Sequence, residues 1–321
     1  MIPSAEEVLK ARQMLKQRLP PTRLLQAESL QRRSGARVVL KMETDLPTHS
    51  FKVRGALTAL LTKAKDARLT GVVAASTGNH GAAVAYAAKL TGIPATIFLP
   101  NNPNPIKRDK IVGLGAKVVE CQTGSALGPI EGATQLARER GYYLLDDATD
   151  ARVTAGTATI AAELMDEMPE LEVVFVPMGD TALIRGVAAE AKRRRPEIRI
   201  IGVQAEQAPG YARSWQQGKV IIVTEACATI ADGLATLNPS EANVREIREL
   251  VDEVRLVSEQ EILDAIRLLL LDEHVVAEPA GAAATAAFLQ DASGYVDRSV
   301  ALLVTGANIS ADVLRRAVED N

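Results

Sequence analysis

The sequence predicts an α/β protein with a mostly parallel sheet covered by helices on both faces, and three observations carry that prediction. Short apolar runs alternate with segments whose apolar residues recur at helical spacing along most of the 321 residues. The strand-like runs are continuously apolar, as in Val173–Pro177, which suits strands buried on both faces. Aromatics are only 3% of a chain that is 47% hydrophobic, so Ala, Val, Ile and Leu fill the core, the residues such a sheet consumes.

Taken in order, the apolar runs predict strands at Val38–Glu43, Val72–Ser76, Ala95–Leu99, Lys117–Cys121, Tyr142–Leu145, Val173–Pro177, Arg199–Gln204 and Ala301–Thr305. Helical spacing is clear at Ala82–Leu90, Gly132–Arg140 and Ile184–Arg194. The cluster Asn101–Pro105 reads as an exposed turn after a strand. A chain of this length is long for one core. No low-complexity linker or fixed repeat divides it, so two doubly wound domains must arise from chain crossovers.

Composition removes several function classes. A formal net charge of −3 offers no global attraction to nucleic acid or anionic lipid, so neither partner is expected. Cys121 and Cys227 are the only cysteines, too few for a disulfide scaffold or a zinc knuckle, and they suit a reducing compartment. The first residues lack an apolar signal core, and the leucine-rich stretch Ile266–Leu271 is too short to span a bilayer. The expectation is a cytoplasmic protein. His49, His80 and His274 have no ligand spacing, and no Gly-x-Ser-x-Gly elbow, dinucleotide fingerprint or P-loop is present.

Five segments remain that chemistry could use. Two share a strand, a turn of Gly or small polar residues, and a helix start: Val72 through Ser76-Thr77-Gly78-Asn79-His80-Gly81, and Val176 through Gly179-Asp180-Thr181-Ala182-Leu183. Beyond the carboxyl ends of parallel strands, helix N-termini offer N–H groups to anions, so the pair can hold a phosphate and a carboxylate. The third is Pro47-Thr48-His49-Ser50-Phe51-Lys52-Val53-Arg54-Gly55-Ala56, where Lys52 sits beside Phe51 and Val53. Desolvation there is expected to depress the amine's pKa and make it a nucleophile. The fourth, Glu278-Pro279-Ala280-Gly281, opens a helix of small residues that a flat ligand can approach closely, and the fifth, Val304-Thr305-Gly306-Ala307-Asn308, ends a strand. Singly, each has a plain structural explanation: a tight turn, a surface lysine, close helix packing.

Together and in this order, from about Thr22 to Asn308, the five segments resemble the β-family, fold type II, of pyridoxal-phosphate (PLP) enzymes, the tryptophan synthase β-like fold. The nearest branch is that of threonine and serine dehydratases and serine racemase. Ser50-Phe51-Lys52-Val53-Arg54-Gly55-Ala56 and Ser76-Thr77-Gly78-Asn79-His80-Gly81 are the specific motifs. The resemblance implies that Lys52 forms the Schiff base with the cofactor, with Phe51 beside it. It implies that Ser76, Thr77, Gly78, Asn79 and His80 bind the substrate carboxylate, and that Asn79 also reaches the cofactor's 3′ oxygen. Gly179, Asp180, Thr181, Ala182 and Leu183 would take the phosphate, Glu278 would border the ring, and Thr305 would meet its nitrogen. The reaction implied is dehydration of a β-hydroxy amino acid to a 2-keto acid and ammonia. Lys52 would be the base and the bound phosphate the acid for the leaving hydroxyl. The branch also implies a homodimer, a small domain over 48–150, and a large one from 1–47 and 151–321.

Four departures from the branch are visible. Gly179-Asp180-Thr181-Ala182 replaces a run of glycines, and Asp180 beside a dianion is repulsive unless its side chain points away; Thr181 can offer a replacement hydrogen bond. Thr77 stands where racemases use a serine as opposite-face acid and base, a weakened version of that catalytic group. Glu206 matches one cation ligand, but Gly210 and Ala212 fill the other two positions, so no metal site is expected. Leu46-Pro47-Thr48-His49 alters the wall expected beside Lys52. These changes leave room for a substituent larger than methyl, so a β-aryl serine joins threonine and serine as an expected substrate. Serine racemisation, another PLP β-replacement or elimination, and a PLP-binding protein without catalysis are the alternatives.

Overall fold

The computed structural model describes the chain apart from positions 1, 67, 77, 102, 104, 122–127, 224–227, 237 and 320–321. Two sheets organise it. The larger contains β1 (Leu24–Gln26), β2 (Arg37–Met42), β7 (Val173–Pro177), β8 (Arg199–Ala205), β9 (Glu253–Val257) and β10 (Ser299–Val304), in the order β1-β2-β10-β7-β8-β9. Only β1 runs antiparallel to its neighbour among these pairings. The smaller sheet contains β3 (Val72–Ala75), β4 (Ala95–Leu99), β5 (Lys117–Glu120) and β6 (Tyr143–Leu144), all parallel, in the order β5-β4-β3-β6.

The continuous apolar strands have the cause inferred for them. Along β2, Val38 and Leu40 face one buried cluster and Val39 the other; along β7, Val173 and Phe175 oppose Val174 and Val176. Successive side chains point to opposite faces, so a sheet with two covered faces takes apolar residues at most positions. On one face Phe175 meets Phe288 and Tyr295 edge-on, with ring centroids 5.9 and 5.5 Å apart.

All eight predicted strands are present, two with the expected ends and the others with ends shifted by one or two residues. The first predicted strand runs to Glu43, whereas in the structure Glu43 opens a 3-10 turn with its carboxylate turned to Arg54. Two strands escaped the sequence reading. β1 has only three residues, and β9 is a sheet edge in which Glu253 and Arg255 alternate with Val254 and Leu256.

Helices cover both sheets and bring their edges together. After β3 comes α4 (Asn79–Thr91), and after β7 comes α8 (Ala182–Arg194). Between the sheets run α3 (Lys52–Lys63) and α7 (Ala151–Glu167), and α7 packs on both α3 and α8. The approach depends on glycine. A Cβ on Gly156 would lie 2.6 Å from the Arg54 carbonyl oxygen, and one on Gly186 would lie 2.4 Å from that of Thr154. A buried ion network ties the start of α3 in place. Arg54 donates to Glu43 (Nε to Oε2, 2.7 Å) and to Glu163 (Nη1 to Oε1, 2.7 Å), and Lys41 Nζ donates to Glu163 Oε2 at 2.7 Å. Removing one member leaves an uncompensated buried charge, at a cost of roughly 3–5 kcal/mol. Among the described residues no helix is long and apolar enough to cross a membrane.

Candidate active site

A cavity of about 260 Å³ lies between the two sheets, beyond the carboxyl ends of β3 and β7. Residues 49–51 pair with 305–307: Phe51 N–H donates to the Thr305 carbonyl and Ala307 N–H to that of His49, each at 3.0 Å. This strand-like bridge delivers Lys52, first residue of α3, into the cavity beside Phe51, whose ring centroid is 5.2 Å from Nζ.

Two carboxylates meet that amine. Nζ donates to Asp147 Oδ2 at 2.5 Å and also to Asp180 Oδ2. Burial works to depress the Lys52 pKa, as the sequence suggested, but the charges and hydrogen bonds of Asp147 and Asp180 outweigh it and hold it above its ordinary value. The expectation of a depressed amine is therefore corrected: the sequence shows the apolar neighbours but not the two acids that the fold adds. Asp147 shows the converse. Burial favours its neutral form, yet His80 and Lys52 pull its pKa down to about 2.

The turn after β7 runs Gly179-Asp180-Thr181 into α8. A Cβ on Gly179 would sit 2.3 Å from the Gly233 carbonyl oxygen, so no larger residue fits without backbone movement. Thr181 adopts a left-handed φ of 75°, an uncommon conformation for a β-branched residue. Its hydroxyl accepts from Arg185 Nε at 3.1 Å, and Arg185 also donates to the Ala148 carbonyl at 2.6 Å. Asp180 points inward: its Oδ1 accepts from the Ala182 N–H at 2.8 Å while Oδ2 meets Lys52. Its carboxylate thus occupies the anion-binding position at the head of α8, opposite to the outward orientation that repulsion from a phosphate demands. Thr181 and Leu183 also line the cavity.

The turn after β3 is organised differently. Ser76 Oγ accepts from the N–H groups of Gly78 (3.0 Å) and Gly81 (2.8 Å), which shapes the loop into α4. Asn79 Nδ2 donates to Glu278 Oε1 at 2.5 Å, while its Oδ1 accepts from Asn308 Nδ2 at 2.7 Å. Glu278 Oε2 accepts from the Asn308 N–H at 3.1 Å. Burial, reinforced by the charge of Asp232, pushes Glu278 up to about 7 despite Lys107, Asn79 and Asn308. His80 Nε2 lies 3.0 Å from the Leu145 carbonyl oxygen and Nδ1 lies 3.4 Å from Asp147 Oδ2. The Thr305 hydroxyl lines the cavity and donates weakly to the Ala280 carbonyl, 3.4 Å away. Thr77 lies outside the described residues.

The fold therefore gathers Phe51, Lys52, Ser76, Gly78, Asn79, His80, Gly179, Asp180, Thr181, Leu183, Glu278 and Thr305 around one cavity, with Ala182 contributing its N–H beneath Asp180. His49 is exposed and does not line it, which corrects the expected wall. Unread in the sequence are Asp147 and the ion pair between Lys107 and Asp232, all of which line the cavity. Asp147 had a signal: it stands just past a predicted strand, where parallel sheets place ligands. At the cation positions considered from the sequence, the Ala212 N–H donates to Gln204 Oε1 at 2.9 Å. No cluster of three metal-ligating side chains occurs among the described residues.

Comparison with known proteins places residues 15–306 in a match to the family model described as pyridoxal-phosphate dependent enzyme. An L-threonine ammonia-lyase of Thermotoga maritima is 37% identical over 98% of this chain and 77% of its own length. An L-threo-3-hydroxyaspartate ammonia-lyase of Saccharomyces cerevisiae is 32% identical over 96% of this chain and 94% of its own. The solved structure of maize serine racemase superposes with a TM-score of 0.92 at 28% identity, covering 99% of this chain and 97% of that one.

Proposed function

The chain belongs to the family of pyridoxal-phosphate-dependent enzymes, and we propose that it is a dehydratase of hydroxy amino acids that releases a 2-keto acid and ammonia from threonine, serine or a β-aryl serine. Relatives named as ammonia-lyases for threonine and hydroxyaspartate support the reaction class. The observation that carries the reading is the lysine amine lining a cavity between two mostly parallel sheets, with a helix N-terminus reached by the same Asp180 carboxylate that meets it.

The donor set fits the cofactor. Lys52 supplies the amine, the Ala182 N–H at the head of α8 suits the anionic end once Asp180 turns aside, and Gly78, Gly179, Gly233 and Ala280 add little side-chain bulk to the lining. Thr305 would meet the ring nitrogen, with Phe51, Asn79 and Glu278 along its border. When bound, pyridoxal phosphate supplies the electron sink that lets a substrate Cα–H bond ionise. Lys52 Nζ then serves as the base at Cα. The first residues of α4, with Ser76 and Gly78, bind the substrate carboxylate and set which Cα bond faces Nζ. A hydroxyl such as that of Thr305 cannot hold a charged ring nitrogen as a carboxylate would, which favours prompt loss of the β-hydroxyl.

Among the residues lining the cavity, Pro100, Pro129, Ile130, Leu234 and Ala235 are apolar, and Lys107 is already paired with Asp232. An apolar β-substituent suits that lining better than a second carboxylate, which would face Asp232. Serine racemisation is the second reading, favoured by the close superposition on maize serine racemase. The enzyme is read as a cytoplasmic homodimer, its small lobe formed by 48–150 and its large lobe by 1–47 with 151–321. Lobe closure over the substrate would exclude water. Keto-acid release scored over serine, threonine, β-phenylserine and hydroxyaspartate, with chiral analysis of residual serine, tests the proposal. Turnover of the first three above hydroxyaspartate is expected. Racemised serine without keto acid would select the second reading.

A further inference from the structure

Asp147 has no part in the reading above, yet it makes a short contact to the amine on which that reading depends. It lies just past β6 at the carboxyl end of the smaller sheet, with Oδ2 2.5 Å from Lys52 Nζ and 3.4 Å from His80 Nδ1. His80 is itself oriented through Nε2 by the Leu145 carbonyl oxygen at 3.0 Å. Asp180 reaches the same Nζ from the larger sheet, but its Oδ1 takes the Ala182 N–H at the head of α8. That N–H is the kind of donor a phosphate claims. Loading the cofactor therefore competes with Asp180 for its place and leaves Asp147 beside the amine.

Resting on the assignment of Lys52 as the cofactor-bearing amine, we propose that Asp147, oriented by His80, is the positioning residue that holds the Lys52 ammonium and makes it the acid for the departing β-hydroxyl. The Cα–H bond breaks toward Nζ and leaves its electron pair on the substrate. The same proton passes from Nζ to the β-oxygen as the Cβ–O bond breaks, so water leaves and Nζ ends neutral. This makes one group both base and acid, in place of the phosphate as acid. Lys52 is faced by Asp147 from the segment between β6 and α7, and by Asp180 from the turn between β7 and α8. Asp147 is faced in turn by His80 of α4 and its neighbour Asp146, and Glu278, Lys107 and Asp232 line the rest of the cavity. Before loading, the two carboxylates favour the ammonium, which cannot attack an aldehyde, so capture of the cofactor requires loss of that proton.

Asp147→Asn and Asp147→Glu test this with two profiles. One is the pH dependence of the rate at which visible absorbance appears when pyridoxal phosphate is added to cofactor-free protein; the other is the acid limb of kcat for keto-acid release. In Asp147→Asn, capture near neutral pH is expected to be about tenfold faster and the acid limb to move down by about one pH unit, with both reverting in Asp147→Glu. A lower kcat with both profiles unmoved would overturn the proposal. Borohydride reduction of the wild-type holoenzyme separates the two ideas. A label off Lys52 defeats the cofactor assignment, whereas a label on Lys52 with unmoved profiles defeats Asp147 alone. Should Asp147→Asn fail to fold, competitive acylation of cofactor-free Asp180→Gly decides: with Asp147 the remaining carboxylate on the amine, Lys52 should react with a midpoint above the ordinary lysine value, and an equal or lower midpoint overturns the claim.

Discussion

The two strand–turn–helix units that face each other across the cavity solve the same problem in opposite ways. After β3, Ser76 gathers the N–H groups of Gly78 and Gly81 onto its hydroxyl, and Asn79 is fixed by Glu278 and Asn308. That turn is closed by a hydroxyl, two side-chain amides and the Glu278 carboxyl. After β7, a carboxylate sits on the Ala182 N–H where an anion belongs and reaches across to Lys52. The first turn is closed by its own hydroxyl; the second is held by a side chain that, on the proposed reading, an incoming phosphate would have to displace. The difference lies in one residue, Asp180, in a position where glycine would leave the head of the helix open.

Breaking the second turn outright should have the largest effect. Gly179→Ala places a methyl 2.3 Å from the Gly233 carbonyl oxygen, so the backbone must shift and cofactor retention, read as visible absorbance after dialysis, should be lost.

The next effect belongs to the first turn and depends on pH. The buried Glu278, raised to about 7 from an ordinary value of 4.5, binds its proton more tightly when folded. Its contribution to stability is fully present below about pH 4.5 and is lost as pH rises through about 7. The loss is on the order of 3 kcal/mol for the cofactor-free protein. Glu278→Gln should flatten that part of the stability–pH curve in denaturant titrations; an unchanged slope would show that Glu278 is solvated or paired more fully than its contacts indicate.

Smaller effects sharpen the contrast. Asp180→Gly opens the head of α8 and should tighten cofactor binding severalfold with turnover intact. A severe loss of turnover would give Asp180 a catalytic part. Ser76→Ala removes one acceptor shared by two N–H groups and should cost about 1–3 kcal/mol, with KM raised more than kcat is lowered.

Much of the fold was legible because burial on two faces writes itself into the strands: β7 is apolar throughout, β10 after Ser299, and β2, β4 and β8 are apolar runs interrupted by Lys41, Thr96 and Gln204. β9 was not legible, because at a sheet edge charged residues such as Glu253 and Arg255 take alternate positions and blur the pattern. In the site, segments joined by a short turn were readable, as with Ser76 to Gly81 or Gly179 to Leu183. Contacts made across the fold were not. Asp147 lies 95 positions from Lys52, and Asp232 lies 125 from Lys107, so neither pairing leaves a local spacing. The protonation of Lys52 was misjudged for the same reason: its apolar neighbours are adjacent in sequence, its acids only in space.

The account depends most directly on where the cofactor is attached. Borohydride reduction of the holoenzyme followed by peptide mapping should place the pyridoxyl label on the peptide containing Lys52, and on that lysine alone. A label on another lysine, or a reduced protein carrying none, would contradict it.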